Sequence, residues 1–244
     1  MTDETAVDTN EFGQSVGQVV DGWIAAQRPG VVDLVGRTVR LEPLASAHAA
    51  GLYEAFSSAP PGHWTYMPWG PFESSGSYAA WVDATVALST VQCLTVCSLA
   101  GEPLGVAGYM AIEASMGTVE VGGITFAPAL QGTAEATEAM YLMMAHAFDD
   151  LGFRRYEWKC DALNAPSRRA AERLGFLYEG TFAQHRVVRG RNRDTAWFGL
   201  TDTRWHTVVG PALRTWLAVE NFGEAGAQRR SLGDVRSELE AEGA

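Results

Sequence analysis

The chain has 244 residues, 47% of them hydrophobic, and a formal net charge of −11. That length and apolar content fit one core of ordinary size with tails, and no run approaches the ~20 apolar residues that a membrane helix needs. The acidic balance disfavours nucleic acid as a partner. Asp3, Glu4, Asp8 and Glu11 stand where a secretory leader would be basic and then apolar, so a cytoplasmic protein is expected.

Residues 1–30 hold five acids and one base. They are polar and weakly periodic, and read as an acidic arm in which Trp23 and Ile24 could form a short docking helix. Thr38–Glu42 alternates as a half-buried strand does, and Pro43 ends it. Residues 46–58 read as a helix with Leu52 and Phe56 inward. The stretch Pro60–Phe72 carries four prolines, two glycines and four aromatics, which makes it an ordered loop. A helix over about Ser74–Leu88 follows, with Tyr78, Trp81 and Val82 on one face, and then strands over 92–99 and 104–113 joined by a tight turn.

The strand 118–126 contains Gly122-Gly123, which points to a bulge or a close approach of backbone or ligand. Directly after it, Pro128–Ala139 is a run of small residues opening a helix over about Thr133–Leu151. A helix start of this kind offers free N–H groups and a favourable dipole to an anion. Taken alone, the same residues are simply a good helix start. Arg155–Asp161 alternates without error. Asn164-Ala165-Pro166-Ser167 then gives a cap and a first-turn proline, and Leu174-Gly175-Phe176 a left-handed stop, so a short helix lies between them. Two strands, about 176–187 and 192–201, form a final hairpin. Cys93, Cys97 and Cys160 lack a CxxC spacing and sit in apolar alternation, so they read as small core residues rather than as metal ligands or disulfides.

In this order and spacing, the Pro128–Ala139 and Asn164–Phe176 segments resemble the acetyl-CoA-binding core of the GCN5-related N-acetyltransferase (GNAT) superfamily. The element order over roughly Gly36–Asp202 is also that of GNAT domains. Residues Leu213–Arg230 resemble a tail carried by some relatives of the ribosomal-protein N-terminal acetyltransferases. The resemblance implies an α+β fold with a largely antiparallel central sheet flanked by helices. It divides the chain into the arm 1–30, a GNAT domain 31–202 and an extension 203–244. In that extension Trp216, Leu217 and Phe222 pack on the body and the last fourteen residues are charged and frayed. The activity implied is transfer of acetyl from acetyl-CoA, without metal, to a primary amine of a small molecule or peptide N-terminus by direct attack through a tetrahedral intermediate. A homodimer is in keeping with this branch, and no nucleic acid or membrane partner is expected.

The family's phosphate-binding pattern falls on Gln131, Gly132, Thr133, Ala134, Glu135 and Ala136, running on to Thr137, with alanine in place of the middle glycine at 134. The matching asparagine, Asn164, would bond the pantetheine arm while also capping its helix. Backbone N–H groups from Ile124 to Phe126 would polarise the thioester carbonyl. Glu120 is the candidate base, and equally an exposed strand residue or a salt-bridge partner for substrate. Ser167 is the candidate proton donor, because the tyrosine that many relatives place four residues before Gly175 is Ala171 here; it could also serve only its helix start. The glutamate that the ribosomal-protein branch places about ten residues later falls on Arg186. His185, its neighbour, is a base by its near-neutral pKa or a structural residue. The loop residues His63, Trp64, Tyr66, Trp69 and Phe72 would wall the acceptor site, Trp64 and Tyr66 through contact with a cationic amine, and Trp69 and Phe72 more by packing. Ala134, Ala171 and Arg186 leave open an acyl-CoA-binding regulatory protein without turnover, and an acyltransferase using another acyl-CoA is a further alternative.

Overall fold

The protein is described from a computed structural model covering residues 7–243. Its strands are β1 (Val7–Thr9), β2 (Ser15–Gly17), β3 (Leu34–Val35), β4 (Val39–Pro43), β5 (Gln92–Ser98), β6 (Pro103–Glu113), β7 (Thr118–Phe126), β8 (Arg155–Asp161), β9 (Leu177–Val188) and β10 (Arg191–Thr201). Its helices are α1 (Ala49–Ala55), α2 (Ser75–Val86), α3 (Ala134–Ala145), α4 (Ala165–Leu174), the short α5 (Asp202–Arg204), α6 (Gly210–Leu217) and α7 (Leu232–Glu242). The first two strands make a small exposed hairpin. The other eight form one sheet in the order β3-β4-β5-β6-β7-β8-β10-β9, antiparallel throughout except between β7 and β8. The α+β fold read from the sequence is the fold observed.

Alternation decides what each sheet face does. On β8, Tyr156, Trp158 and Cys160 enter the main core with Val119 and Val121 of β7 and Met140, Met143 and Met144 of α3. Arg155, Glu157 and Lys159 occupy the opposite face. On that opposite face, α1 and α2 cover the β4–β6 half, around a second core of Leu52, Phe56, Trp64, Tyr78, Val82 and Val106.

Two irregularities open the sheet. Gly108 pairs with Gly122 but Val106 pairs with Thr125, so two residues of β7 stand against one of β6. Gly123 takes a φ of +62° at this bulge, a conformation that favours glycine. Then β7 and β8 pair only along Thr118–Val121 and Arg155–Trp158. Beyond Val121 the first strand stays with β6, and the second with β10, so the sheet parts into a wedge.

Helix α4 stands beside that wedge. Asn164 Oδ1 accepts the Ser167 N–H at 3.1 Å, and Pro166 lies in the first turn. At the other end Gly175 has a φ of +101° and its N–H donates to the Glu172 carbonyl, while Phe176 N–H reaches the Ala171 carbonyl at 3.1 Å. This is a Schellman stop. The Arg236 guanidinium of α7 donates to the Glu172 and Arg173 carbonyls, both at 2.9 Å, and Arg204 Nε to that of Gly175.

Both termini differ from expectation. Residues 7–33 contain no helix; Trp23 instead lies under Arg154 and donates to the Ser115 carbonyl at 3.3 Å. The charged C-terminal stretch is ordered as α7. Ser231 accepts the Asp234 N–H as its cap, and Leu232 and Val235 are buried, so the polar residues are only the outer face of a docked helix.

Candidate active site

The turn from β7 into α3 is built to leave N–H groups free. Ala127 N–H is used by the Leu104 carbonyl, and Leu130 N–H by Ala127. Gly132 has a φ of +73°, and a Cβ there would meet nothing within 4 Å, so the turn is open on its outer side. Thr133 Oγ1 caps α3 by accepting the Ala136 N–H at 3.1 Å. The N–H groups of Ala134 and Glu135 then have no acceptor within their own helix. Ala134 is the first helical residue and has none of the left-handed backbone that would demand glycine, so alanine fits. Gln131 braces the turn, its Nε2 donating to the Phe126 carbonyl at 2.8 Å and lying 3.2 Å from His63 Nδ1. Thr137 is buried and bonded to Arg173 and to the Thr133 carbonyl, and Glu135 brings a carboxylate to the first turn.

Across the wedge stand Asn164 and Ser167. The cap uses only the Asn164 oxygen, which leaves its NH₂ out of the cap. Ser167 Oγ accepts the Trp158 indole N–H at 3.0 Å, so its own proton is available to donate. Its neighbour Cys160 has its thiol pKa pushed up by burial. Ile124 and Phe126 lie on the stretch of β7 that has no partner on β8.

Glu120 is on the other face. Its Oε2 is 2.8 Å from Lys159 Nζ, and the same ammonium lies 2.8 Å from Glu157 and 4.0 Å from the centre of the Trp197 ring. Arg155 joins Glu157 at 2.7 Å and holds Glu179 through both terminal nitrogens. Three carboxylates thus face two cations in one half-buried chain. Burial acts to raise the Glu157 pKa, but its bonds to Arg155 and Lys159 outweigh that and hold it below the usual value. The second oxygen of Glu120 is 3.4 Å from the point where a Cβ on Gly122 would stand.

Gly122 also lines a cavity of about 280 Å³ between α2 and strands β5–β7. Trp69, Trp81, Cys93, Val106 and Met110 contribute its walls. Burial raises the Cys93 thiol pKa to about 11, so that wall stays neutral near pH 7. The loop 60–72 bridges from this cavity to the wedge and is tied at two points. Tyr66 Oη donates to the Leu163 carbonyl at 3.0 Å, and Arg189 at the β9–β10 turn donates to the carbonyls of Trp69, at 2.6 Å, and Gly70.

The site residues named from sequence therefore divide between two faces: Ser167, Asn164 and the 131–137 turn on one, Glu120 on the other, with the wedge between. Two aromatic assignments exchange places. Trp64 is buried among Phe56, His63 and Phe72 and does not line the cavity. Trp69, expected to pack, does line it. His185 lies on the Glu120 face, edge-on to Phe182 and tilted against Trp197, and Arg186 is exposed on the edge strand. Sequence reasoning passed over Lys159, Glu157 and Trp197. The signal was there: Arg155, Glu157 and Lys159 recur at spacing two on a strand whose other face is wholly apolar.

Among the described residues one trio, Glu42, His48 and Cys97, gathers metal-ligand atoms within 4.8 Å. His48 Nδ1 already accepts the Ala45 N–H at 3.1 Å, so Nε2 carries the proton it shares with Glu42 at 2.7 Å. That tautomer leaves no lone pair for an ion.

Comparison with known proteins gives a consistent result. The family described as "Acetyltransferase (GNAT) domain" matches residues 38–177. A GCN5-related N-acetyltransferase from Brucella melitensis is 39% identical, covering 88% of this chain and 99% of its own, with a TM-score of 0.85. A "probable acetyltransferase" of the GNAT family from Chromobacterium violaceum is also 39% identical, over 78% of this chain and 96% of its own, with a TM-score of 0.74. The microcin C7 self-immunity acetyltransferase MccE, solved in complex with acetyl-CoA and AMP, shares the fold at 19% identity and a TM-score of 0.61, over 68% of this chain and 93% of its own. No curated protein matches the chain.

Proposed function

Because the chain belongs to the GNAT acetyltransferase family, we propose that it moves an acetyl group from acetyl-CoA to a primary amine. The observation that carries this reading is the wedge between β7 and β8. It has free backbone donors and Asn164 on one face, and a carboxylate beside a cavity on the other. Acetyl-CoA supplies the activated acetyl group. Its phosphates fit the open turn at Gly132 and the free N–H groups of Ala134 and Glu135, where the start of α3 favours negative charge. In this reading the Asn164 NH₂, which the cap leaves unused, donates to a carbonyl of the pantetheine arm.

On the other face Glu120 receives the incoming amine. A lysine-type amine has a pKa near ~10.4 and an α-amine near ~8, so at neutral pH each must lose a proton before attack. Lys159 fixes one oxygen of Glu120, and the other, next to Gly122, takes that proton directly or through water. Backbone N–H groups of the unpaired stretch Ile124–Phe126 stabilise the carbonyl oxygen as charge develops on it. As the C–S bond breaks, Ser167, held by Trp158, gives its proton to the departing sulfur and regains one from solvent, into which Glu120 releases the proton of the amine.

Calorimetric titration with acetyl-CoA and steady-state turnover test the reading together. Binding in the micromolar range is expected. Asn164→Ala should weaken binding about tenfold, and Glu120→Gln should leave binding intact while lowering kcat about 100-fold. Failure of the wild-type protein to bind acetyl-CoA would sink the proposal. The ion pair already held by Glu120 favours a second reading, acyl-CoA binding without turnover. Tight binding with no acetylation of any amine would decide for it.

A further inference from the structure

The cavity beside Gly122 bears on which amine is accepted, beyond the general reaction. Resting on the acetyl-transfer reading, we infer that the acceptor is an amine whose carbon chain ends in an uncharged apolar group, held against the wall that Trp69 and Trp81 form together, their ring centres 5.3 Å apart.

Three observations lead there. First, the walls are apolar: two indoles, Val91, Val106 and Met110, with the Cys93 thiol neutral. A volume of about 280 Å³ has room for a small apolar group. A charged or strongly hydrated arm would lose its water there without compensation. Second, the cationic end has a defined place. Met110 and Gly122, which line the cavity, are the neighbours of Glu120 on the sheet: Met110 is its partner in register, and Gly122 stands two residues on along the strand. Glu120 belongs to the chain of three carboxylates and two cations, which leaves negative charge in excess for an ammonium. Third, the cavity is on the acceptor side. It is lined from α2, the 60–72 loop and β5–β7, and by no residue of β8, α3 or α4, the elements that border the wedge opposite β7. On the acetyl-transfer reading the acyl arm enters instead by the wedge between β7 and β8.

A Cβ on Gly122 would stand 2.5 Å from Met110 Sδ, so a larger residue there would displace the Met110 side chain that forms part of the wall. Ala84 and Leu88, near the end of α2, line the cavity and are exposed to solvent, so they mark its entrance.

The test compares 2-phenylethylamine with ethylamine as acceptors, both in turnover with acetyl-CoA and in binding followed by tryptophan fluorescence with coenzyme A present. The aromatic amine should be preferred at least about 50-fold in kcat/KM and in affinity. Ala84→Trp, a change at an exposed helix position that fills the entrance, should remove about tenfold or more of that preference. Val86→Ala, an exposed position of the same helix outside the cavity, should not. Calorimetric binding of acetyl-CoA by Ala84→Trp reports that the fold is intact. Equal rates and affinities for the two amines, or a preference untouched by Ala84→Trp, would overturn the inference while leaving acetyl transfer in place. Selective binding of the aromatic amine without any turnover would instead sink acetyl transfer and keep the cavity's chemistry. Rates that rise with hexanoyl-CoA and fall back in Ala84→Trp would give the cavity to the acyl chain and overturn the proposal.

Discussion

The wedge between β7 and β8 has two walls made in different ways. The wall at α3 and α4 is mostly backbone: free N–H groups at Ala134 and Glu135, an open turn at Gly132, a capped helix start at Asn164. The wall at Glu120 is made of side chains, an ion-pair chain set against an aromatic cavity. Backbone donors are indifferent to most substitutions and are lost only when the chain path changes. Side-chain walls change with each residue. A site built this way keeps one partner while varying the other.

Substitutions can break each wall in turn. The largest effect should come from Lys159→Met, which leaves Glu120 and Glu157, each about 15% exposed, facing one another without their shared cation. A stability loss of about 3 kcal/mol in urea unfolding is expected, with a fall in kcat. A further Glu157→Gln change should restore part of the stability. If Lys159→Met is neutral, the ion-pair chain does not organise that wall. Next, Gly132→Val should cost about 2 kcal/mol and weaken acetyl-CoA binding at least about tenfold, since the φ of +73° is unsuited to a branched side chain. Retained affinity would mean that the turn is not the anion site. A smaller effect, about threefold in KM for the amine, should follow Arg189→Ala, which unties the β9–β10 turn from Trp69 and Gly70 without touching the cofactor wall.

The smallest effect is one of pH. Burial holds His63 below its usual 6.5. Below about pH 6.5 the unfolded chain therefore binds more protons at this position than the folded one. The stabilising contribution is complete above that pH and is lost as pH falls through the lowered folded value. The urea midpoint should drop between pH 7 and pH 5, and drop less in His63→Gln. Equal slopes would show that His63 titrates alike in both states.

The two walls also differ in how far sequence exposes them. The turn and α4 are continuous segments, so a strand, a small-residue helix start, Asn164-Ala165-Pro166 and Gly175-Phe176 can be read from spacing alone. The bulge was announced by Gly122-Gly123. The Glu120 wall is gathered from residues far apart: Trp69 from a loop, Glu120 from β7, Lys159 from β8, Trp197 from β10. No local pattern tells Trp64 from Trp69. One is buried against Phe56 and the other lines a cavity only because the loop path, fixed by Tyr66 and Arg189, turns them apart. The charged C-terminal end reads as frayed by composition, yet Ser231 caps it as a helix whose apolar stripe is only Leu232, Val235 and Leu239.

That last helix matters at a distance. The side chain of Arg236 grips the final carbonyls of α4, and Arg204 holds the one just beyond. Helix α4 is thus a strut of about 15 Å, pinned at its far end by the tail and presenting Asn164 and Ser167 at its near end. A rigid strut transmits a shift from one end to the other. The tail therefore acts as a set-screw for the wedge: whatever displaces α7, whether a fused tag, a truncation or a docked partner, is passed along α4 to Asn164 and Ser167, which stand beside the wedge.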